Sequence, residues 1–179
     1  LADIYNGLVS LKVIGGDTIT TPGPGGPGDT PMPTGDATDL VTGAKIFMQL
    51  GLSPLAASYM SGNVQQESGW KGQRTPWVLN DGAGLNKGLI SWNRGRLKSG
   101  EAFLGKPIEK ATNAEQARWI VEEMKRSYKD SWAIVSNPKA TKEQLKQAIY
   151  WYIGWGHEGA RWKYGEHALN ALSKEGVKT

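Results

Sequence analysis

Glu67, in the run Gly62-Asn63-Val64-Gln65-Gln66-Glu67-Ser68-Gly69-Trp70, is the side chain of this sequence best placed for acid chemistry. The surrounding pattern predicts a nearly uncharged helix from Leu52 to Gly69, with Glu67 at its C-terminal end. A helix carries partial negative charge at that end, which makes it a poor place for an idle surface carboxylate. A carboxyl group so placed, flanked by apolar and aromatic residues, is a candidate general acid; the plain alternative is a solvated terminal Glu. Gln66 beside it is a candidate substrate contact. Twenty-one residues on, Gly88-Leu89-Ile90-Ser91-Trp92-Asn93-Arg94-Gly95-Arg96 sets an indole beside polar and basic groups. Indole faces stack on sugar rings and Asn and Arg donate to oxygens, so Ser91 and Trp92 are binding candidates, with a surface cation–π pair as the alternative. A third group, Tyr150 and Tyr152, precedes Gly156-His157-Glu158-Gly159. Tyr152 shares an apolar stripe with Leu145, Ala148 and Ile149, so core packing is equally open to it. Tyr150 falls on the more open face, where a phenol within reach of Glu67 would orient it.

The elements that must position these residues are helical. Thr38 or Asp39 caps a helix carrying Leu40, Val41, Ala44, Phe47 and Met48, which stops near Gly51. Ser53-Pro54 pairs a capping side chain with Pro at the first helical position and opens the helix that carries Leu55, Ala56, Tyr59, Met60 and Val64. Residues 75–100 are rich in Gly, Asn and Trp and are expected to form loops with a short hairpin at 88–92. Thr112-x-x-Glu115 and Thr141-x-x-Gln144 are capping boxes ahead of two further apolar stripes. Gly154 and Gly156 break the chain before a last helix carrying Ala168, Leu169 and Leu172. The expectation is a mainly α domain over residues 38–179, with Trp119, Trp132, Trp151, Trp155 and Trp162 packing its helices and one or two of them exposed.

The 179 residues suffice for one sizeable domain. With no cysteine, the chain has no disulfide, Cys-ligated metal or thiol nucleophile. His157 and His167 stand ten apart with no acid at ligand spacing, so neither a metal site nor a cofactor is expected. No P-loop or nucleophile elbow is present. A net charge of +4 is too mild for a nucleic-acid reader, and the basic runs at 94–98 and 124–129 read as solvated faces. No apolar run is long enough to span a membrane. Residues 1–20 form a β-rich arm in which Val9, Leu11 and Val13 share one side. Isolated strands do not stand alone, so the arm is expected to complete an upstream domain or dock on a partner. The absence of an initiator Met at Leu1 fits a piece of a longer polypeptide. Between them lies a linker, residues 21–37, in which ten of seventeen residues are Pro or Gly.

Glu67-Ser68-Gly69 followed by Gly88-Leu89-Ile90-Ser91-Trp92 resembles the lysozyme-like superfamily, above all the phage tail lysozymes and more distantly lytic transglycosylases and goose-type lysozymes. The likeness covers most of residues 40–172 in the order and spacing of three regions, the third being Ala148-Ile149-Tyr150-Trp151-Tyr152 with Gly156-His157-Glu158-Gly159. Ser91 stands where those families usually have Gln. The resemblance implies a lysozyme-like fold and cleavage of the β-1,4 bond between N-acetylmuramic acid and N-acetylglucosamine, with Glu67 as acid and peptidoglycan strands as substrate. By spacing alone Asp81, fourteen residues on, resembles an Asp that positions water in goose-type enzymes; as a sequence feature it is an Asp-Gly turn residue. Hydrolysis would use such a water, whereas lytic transglycosylation needs Glu67 alone. Glu101 and Glu109 read as exposed charges, and Glu158 as a cap or a partner for Arg161. The tether suits a virion tail or baseplate component, acting in the extracellular or periplasmic wall space and joined to other tail proteins through the arm. A catalytically silent structural or glycan-binding module is the alternative.

Overall fold

The computed structural model describes residue 33, residues 35–72, the backbone at 77, 78 and 85, and residues 86–179. The β-rich arm, most of the linker and Asp81 lie outside the described residues. Among the described residues the chain is mainly helical, as the sequence predicts. In order it forms α1 (Leu40–Gln49), α2 (Pro54–Ser68), β1 (Trp77–Val78), β2 (Leu85–Asn86), α3 (Arg94–Leu104), a 3₁₀ turn η1 (Ile108–Lys110), α4 (Asn113–Ser127), α5 (Lys129–Val135), α6 (Lys142–Ile153) and α7 (Arg161–Lys174). The two short strands pair antiparallel, Trp77 opposite Asn86 and Val78 opposite Leu85.

The helix starts lie where capping chemistry puts them. Asp39 accepts from the backbone N–H groups of Val41 and Thr42, while Thr42 returns a bond to the cap backbone. Thr112 with Glu115, and Thr141 with Gln144, close the same reciprocal box on α4 and α6. Each satisfies two N–H groups that a helix end otherwise leaves unpaired. Gly69 and Gly154 end α2 and α6 in the left-handed conformation, at φ 62° and 73°. α3 departs from the loop expected across 75–100. Asn93 makes no side-chain cap bond, so local signals for this helix are weak. Contacts remote in sequence hold it instead: Gly100 lies against the Trp119 indole, and Arg96 pairs with Glu123 of α4. The hairpin expected at 88–92 is a single bridge, Lys87 to Trp92, around a turn with Gly88 at φ 81° and Ser91 at φ 58°.

α2 packs against both α1 and α7. Every residue from Ala56 to Val64 is buried, so α2 is a central helix without a solvent face along this stretch. Its polar side chains are therefore small and, in part, turned back onto backbone. Ser61 donates to the Leu40 carbonyl at 2.6 Å and Asn63 to the Tyr59 carbonyl at 2.8 Å. Two glycines set the approach of α7. A Cβ on Gly62 would lie 2.5 Å from both the Arg161 carbonyl oxygen and the Gly165 nitrogen, while one on Gly165 would lie 2.6 Å from the Tyr59 ring. This approach puts the last turn of α2 beside the first turn of α7. Gly62→Ala must push α7 backbone away, and the expected net loss is about 1–3 kcal/mol despite the better helix propensity of Ala. Thermal or urea unfolding of the variant checks this; an unchanged midpoint would show that the helices yield freely.

Candidate active site

The end of α2 is shaped by the motif that carries Glu67. Gly69 and Trp70 both take positive φ, 62° and 58°, which turns the chain sharply after the helix. Trp70 is buried in the space left by Gly43, where a Cβ would fall 2.0 Å from its ring, and packs edge-on to Phe47. Glu67 stays at the mouth of this turn with 17% of its side chain exposed. Its Oε1 accepts a hydrogen bond from Nη2 of Arg161 at 2.5 Å. Arg161 is the first residue of α7 and is 5% exposed. Its Nε and Nη1 are buried without a hydrogen-bond partner among the described residues, and its guanidinium lies 4.5 Å from the Trp155 ring centroid.

Aromatic residues extend from this pair. Tyr150 meets Trp155 edge-on at 5.1 Å, and Trp155 meets Trp162 at 5.4 Å. Tyr150, Trp151 and Tyr164 are the large hydrophobic residues that stand exposed among those described, and all three lie at the junction of α6 and α7. Tyr150 therefore faces outward as predicted, but it makes no hydrogen bond to Glu67; Arg161 fills that role. Gln66, half-buried, has its side-chain oxygen engaged within the fold. Its Oε1 accepts from the Ala160 N–H at 2.9 Å and ties α2 to the start of α7.

Two of the expected cleft residues point inward. Trp92 and Tyr152 are each 1% exposed, and both donate to Oε2 of Glu123, at 2.9 and 2.7 Å. Arg96 completes the cluster with Nε and Nη2 on the two oxygens of Glu123, at 2.7 and 2.8 Å. Its guanidinium also lies over the rings of Tyr128 and Tyr152. Burial is the largest single influence on Arg96 and works against its charge, but the hydrogen bonds to Glu123 together with the electrostatic contributions of Tyr152, Glu123 and Tyr128 outweigh it, and its pKa rises above the ordinary guanidinium value. Burial first, and then the negative charge of Glu123, push the Tyr152 phenol well above its ordinary range. Trp92 and Tyr152 are thus core residues, because Tyr152 lies on the apolar stripe of α6 and the turn at 88–91 folds Trp92 under itself. Ser91 is half-buried on that turn.

The three sequence regions nevertheless come together. Asn113 donates to the Trp70 carbonyl and accepts from the Gly72 N–H, while Gln116, one turn on, accepts from the Leu89 N–H. The chain leaving Glu67 and the turn at 88–91 are therefore held side by side on the start of α4. The third region arrives through Ala160 and Arg161. Asp81 lies outside the described residues. Glu101 accepts from the Ile108 N–H, Glu109 pairs with Lys87, and Glu158 is exposed while Arg161 pairs with Glu67 instead. Among the described residues no group of three or more His, Asp or Glu is placed to hold a metal ion. No helix of the described residues is long and apolar enough to cross a membrane. Compared with known proteins, the chain matches no family model, no curated protein and no solved structure.

The sequence reading missed Arg161 and Glu123. A signal for Arg161 exists: a cation at a helix N-terminus is on the wrong end of the dipole, as Glu67 is on the wrong end of α2. Removing one partner of such a pair strands the other, so Glu67→Ala is expected to cost about 3 kcal/mol or more. Glu67→Ala combined with Arg161→Met is expected to recover most of that loss in a double-mutant unfolding cycle. Additive losses would show that the two charges are independent. A second expectation concerns alkali. Tyr59, raised by burial and its hydrogen bond to Glu166, and Tyr152 both have folded pKa values above the unfolded value near 10. Their contribution to stability is complete below pH 10 and is lost as pH rises through the folded values. In a phenolate absorbance titration each should ionise only with unfolding, and Tyr59→Phe or Tyr152→Phe should each remove one late phenolate. Ionisation of either residue in the folded chain at pH 10 would contradict this.

Proposed function

We propose that this chain is a peptidoglycan-degrading enzyme that cleaves the β-1,4 bond between N-acetylmuramic acid and N-acetylglucosamine, with Glu67 as the acid. The observation that carries the proposal is a partly open carboxylate at the end of a buried central helix, bordered by Arg161, Trp155 and the exposed Tyr150. Glycoside cleavage needs a group that protonates the leaving oxygen and aromatic or polar walls that hold the sugars in place. Arg161 fixes one oxygen of Glu67, and the side chain stays partly exposed. The likeness of the three motifs to phage tail lysozymes supports the same reading, as does their convergence on the end of α2 and the start of α4. On this reading the enzyme works at a virion tail or baseplate, in the extracellular or periplasmic wall space, with its N-terminal arm on other tail proteins. A muramidase holds a water opposite the acid, and Asp81 is the residue proposed for that task. A lytic transglycosylase instead lets the substrate's own 6-hydroxyl attack, with Glu67 acting first as acid and then as base.

One observation favours a catalytically silent glycan-binding module. In the resting arrangement Glu67 is engaged as the ion-pair partner of Arg161, and Trp92 and Tyr152 are withdrawn from solvent. Digestion of purified peptidoglycan, with wild type beside Glu67→Gln and products read by mass spectrometry, separates the readings. The enzyme is expected to lose about 10²–10⁴-fold in rate on this substitution. Anhydro-muropeptides identify a lytic transglycosylase and reducing ends a hydrolase. Absence of any product from the folded wild type on walls of several chemotypes would leave the silent module.

A further inference from the structure

The chain enters the helical domain through a short stretch, residues 33–37, whose contacts reach the candidate acid from behind. Pro33 and Ala37 are buried, while Asp36 is exposed. Oδ1 of Asp36 accepts from the Ala37 N–H and from the Ala114 N–H in the first turn of α4, both at 2.9 Å. A helix start leaves such N–H groups unpaired and carries partial positive charge, so a carboxylate from elsewhere in the chain is well placed there. The start of α4 thus has two caps. Thr112 takes the Glu115 N–H, and Asp36, seventy-eight residues away from Ala114, takes the N–H before it.

Beside that contact, Asn113 joins the same stretch to the turn that follows Glu67. Its Nδ2 donates to the Ala37 carbonyl and to the Trp70 carbonyl, each at 2.6 Å, and its Oδ1 accepts from the Gly72 N–H at 3.1 Å. Both Nδ2 hydrogens are then in use, and a planar carboxamide cannot follow one of these partners without turning away from the others. Trp70 needs such a hold. A residue other than glycine at φ 58° is in a sparsely populated conformation, which persists only where its surroundings fix it. Two contacts fix it here: Asn113 on its carbonyl, and the seat of its ring against Gly43 of α1. Because α1 begins at Leu40, directly after this stretch, both contacts depend on where residues 36 and 37 lie.

We propose that this stretch is a latch on the turn behind Glu67. With Asp36 seated on α4 the turn at 70–72 is ordered; displacement of Asp36 from α4 draws the Ala37 carbonyl off Asn113 and frees that turn to relax. An event on the N-terminal side of the chain then reaches the end of α2 without touching Glu67. One exposed carboxylate holds the device shut, so a modest opposing charge or pull is enough to open it. The inference stands apart from the proposed function, because it concerns the order of the turn and not the chemistry of Glu67.

Native-state hydrogen exchange on the full chain, read amide by amide, tests it. Asp36→Ala is expected to speed exchange of the Gly72 N–H by about 3–30-fold, the factor that corresponds to loss of one helix-capping acceptor. Asp36→Lys sets a cation against the positive end of α4 and should speed it further. Asp36→Asn keeps an acceptor oxygen and should keep most of the protection. The Leu89 N–H, held by Gln116 on the same helix, is expected to retain its wild-type rate throughout, as are amides in the middle of α2 and α6. Wild-type exchange at Gly72 in both Asp36→Ala and Asp36→Lys overturns the latch. So does a rise at Leu89 and within α2 and α6 equal to that at Gly72, which is general loss of stability. Peptidoglycan digestion reads the other proposal separately, since cleavage by the wild type neither requires nor excludes this pattern of exchange.

Discussion

The polar seam along α4 is the constraint on which the rest of the site depends. Asn113, Gln116 and Glu123 lie on one side of the helix, at intervals of three and seven residues, and all three are buried. The segments around them, at 37, 70–72, 87–92, 108 and 111, run outside the long helices, so their buried backbone groups need partners from elsewhere. Asn113 serves Ala37, Trp70 and Gly72; Gln116 serves Leu89, Ile108 and Ala111. Glu123 gathers Trp92, Arg96 and Tyr152 and so joins α3, α4 and α6. A buried carboxylate is costly to desolvate, and it is tolerated here because a guanidinium and two further donors surround it.

On the far side of α2 a different logic operates. Glu67 and Arg161 each sit where the dipole of their own helix opposes their charge. Neither is well placed alone. Together they join the negative end of one helix to the positive end of the next, and the glycine contact between Gly62 and Gly165 brings those ends close enough to touch. The bond from Ala160 to Gln66 holds the same junction one residue earlier. The position of the candidate acid therefore follows from helix packing as much as from the residue itself.

Much of this was legible in the sequence. The caps at Asp39, Ser53, Thr112 and Thr141 are local devices, so short segments display them and the helices begin where the segments say. α3 was hidden because its stability comes from Trp119 and Glu123 rather than from its own ends. The burial of Trp92 and Tyr152 was half visible: the stripe on α6 allowed it for Tyr152, but nothing near Trp92 announces Glu123, thirty-one residues away. Arg161 lies ninety-four residues from Glu67, and Glu158 offered a nearer partner that the fold does not use. Chemical type was readable throughout; pairing across long separations was not.

The seam also has a consequence for the order of folding. Helices α1, α2, α4, α6 and α7 carry their own start signals or amphipathic stripes and can form early from local contacts. The turn at 88–91 and the stretch at 70–72 have no such resources, and each must wait until α4 has formed and docked before its amides find acceptors and its carbonyls find donors. Closing these loops costs chain entropy that is recovered only when the distant partner is in place. The segments at 70–72 and 88–91 are thus expected to order after the helices that hold them and to open before those helices unfold. A chain in which these segments have opened can still keep its helices, so helical content alone is a poor measure of whether the surroundings of Glu67 are intact.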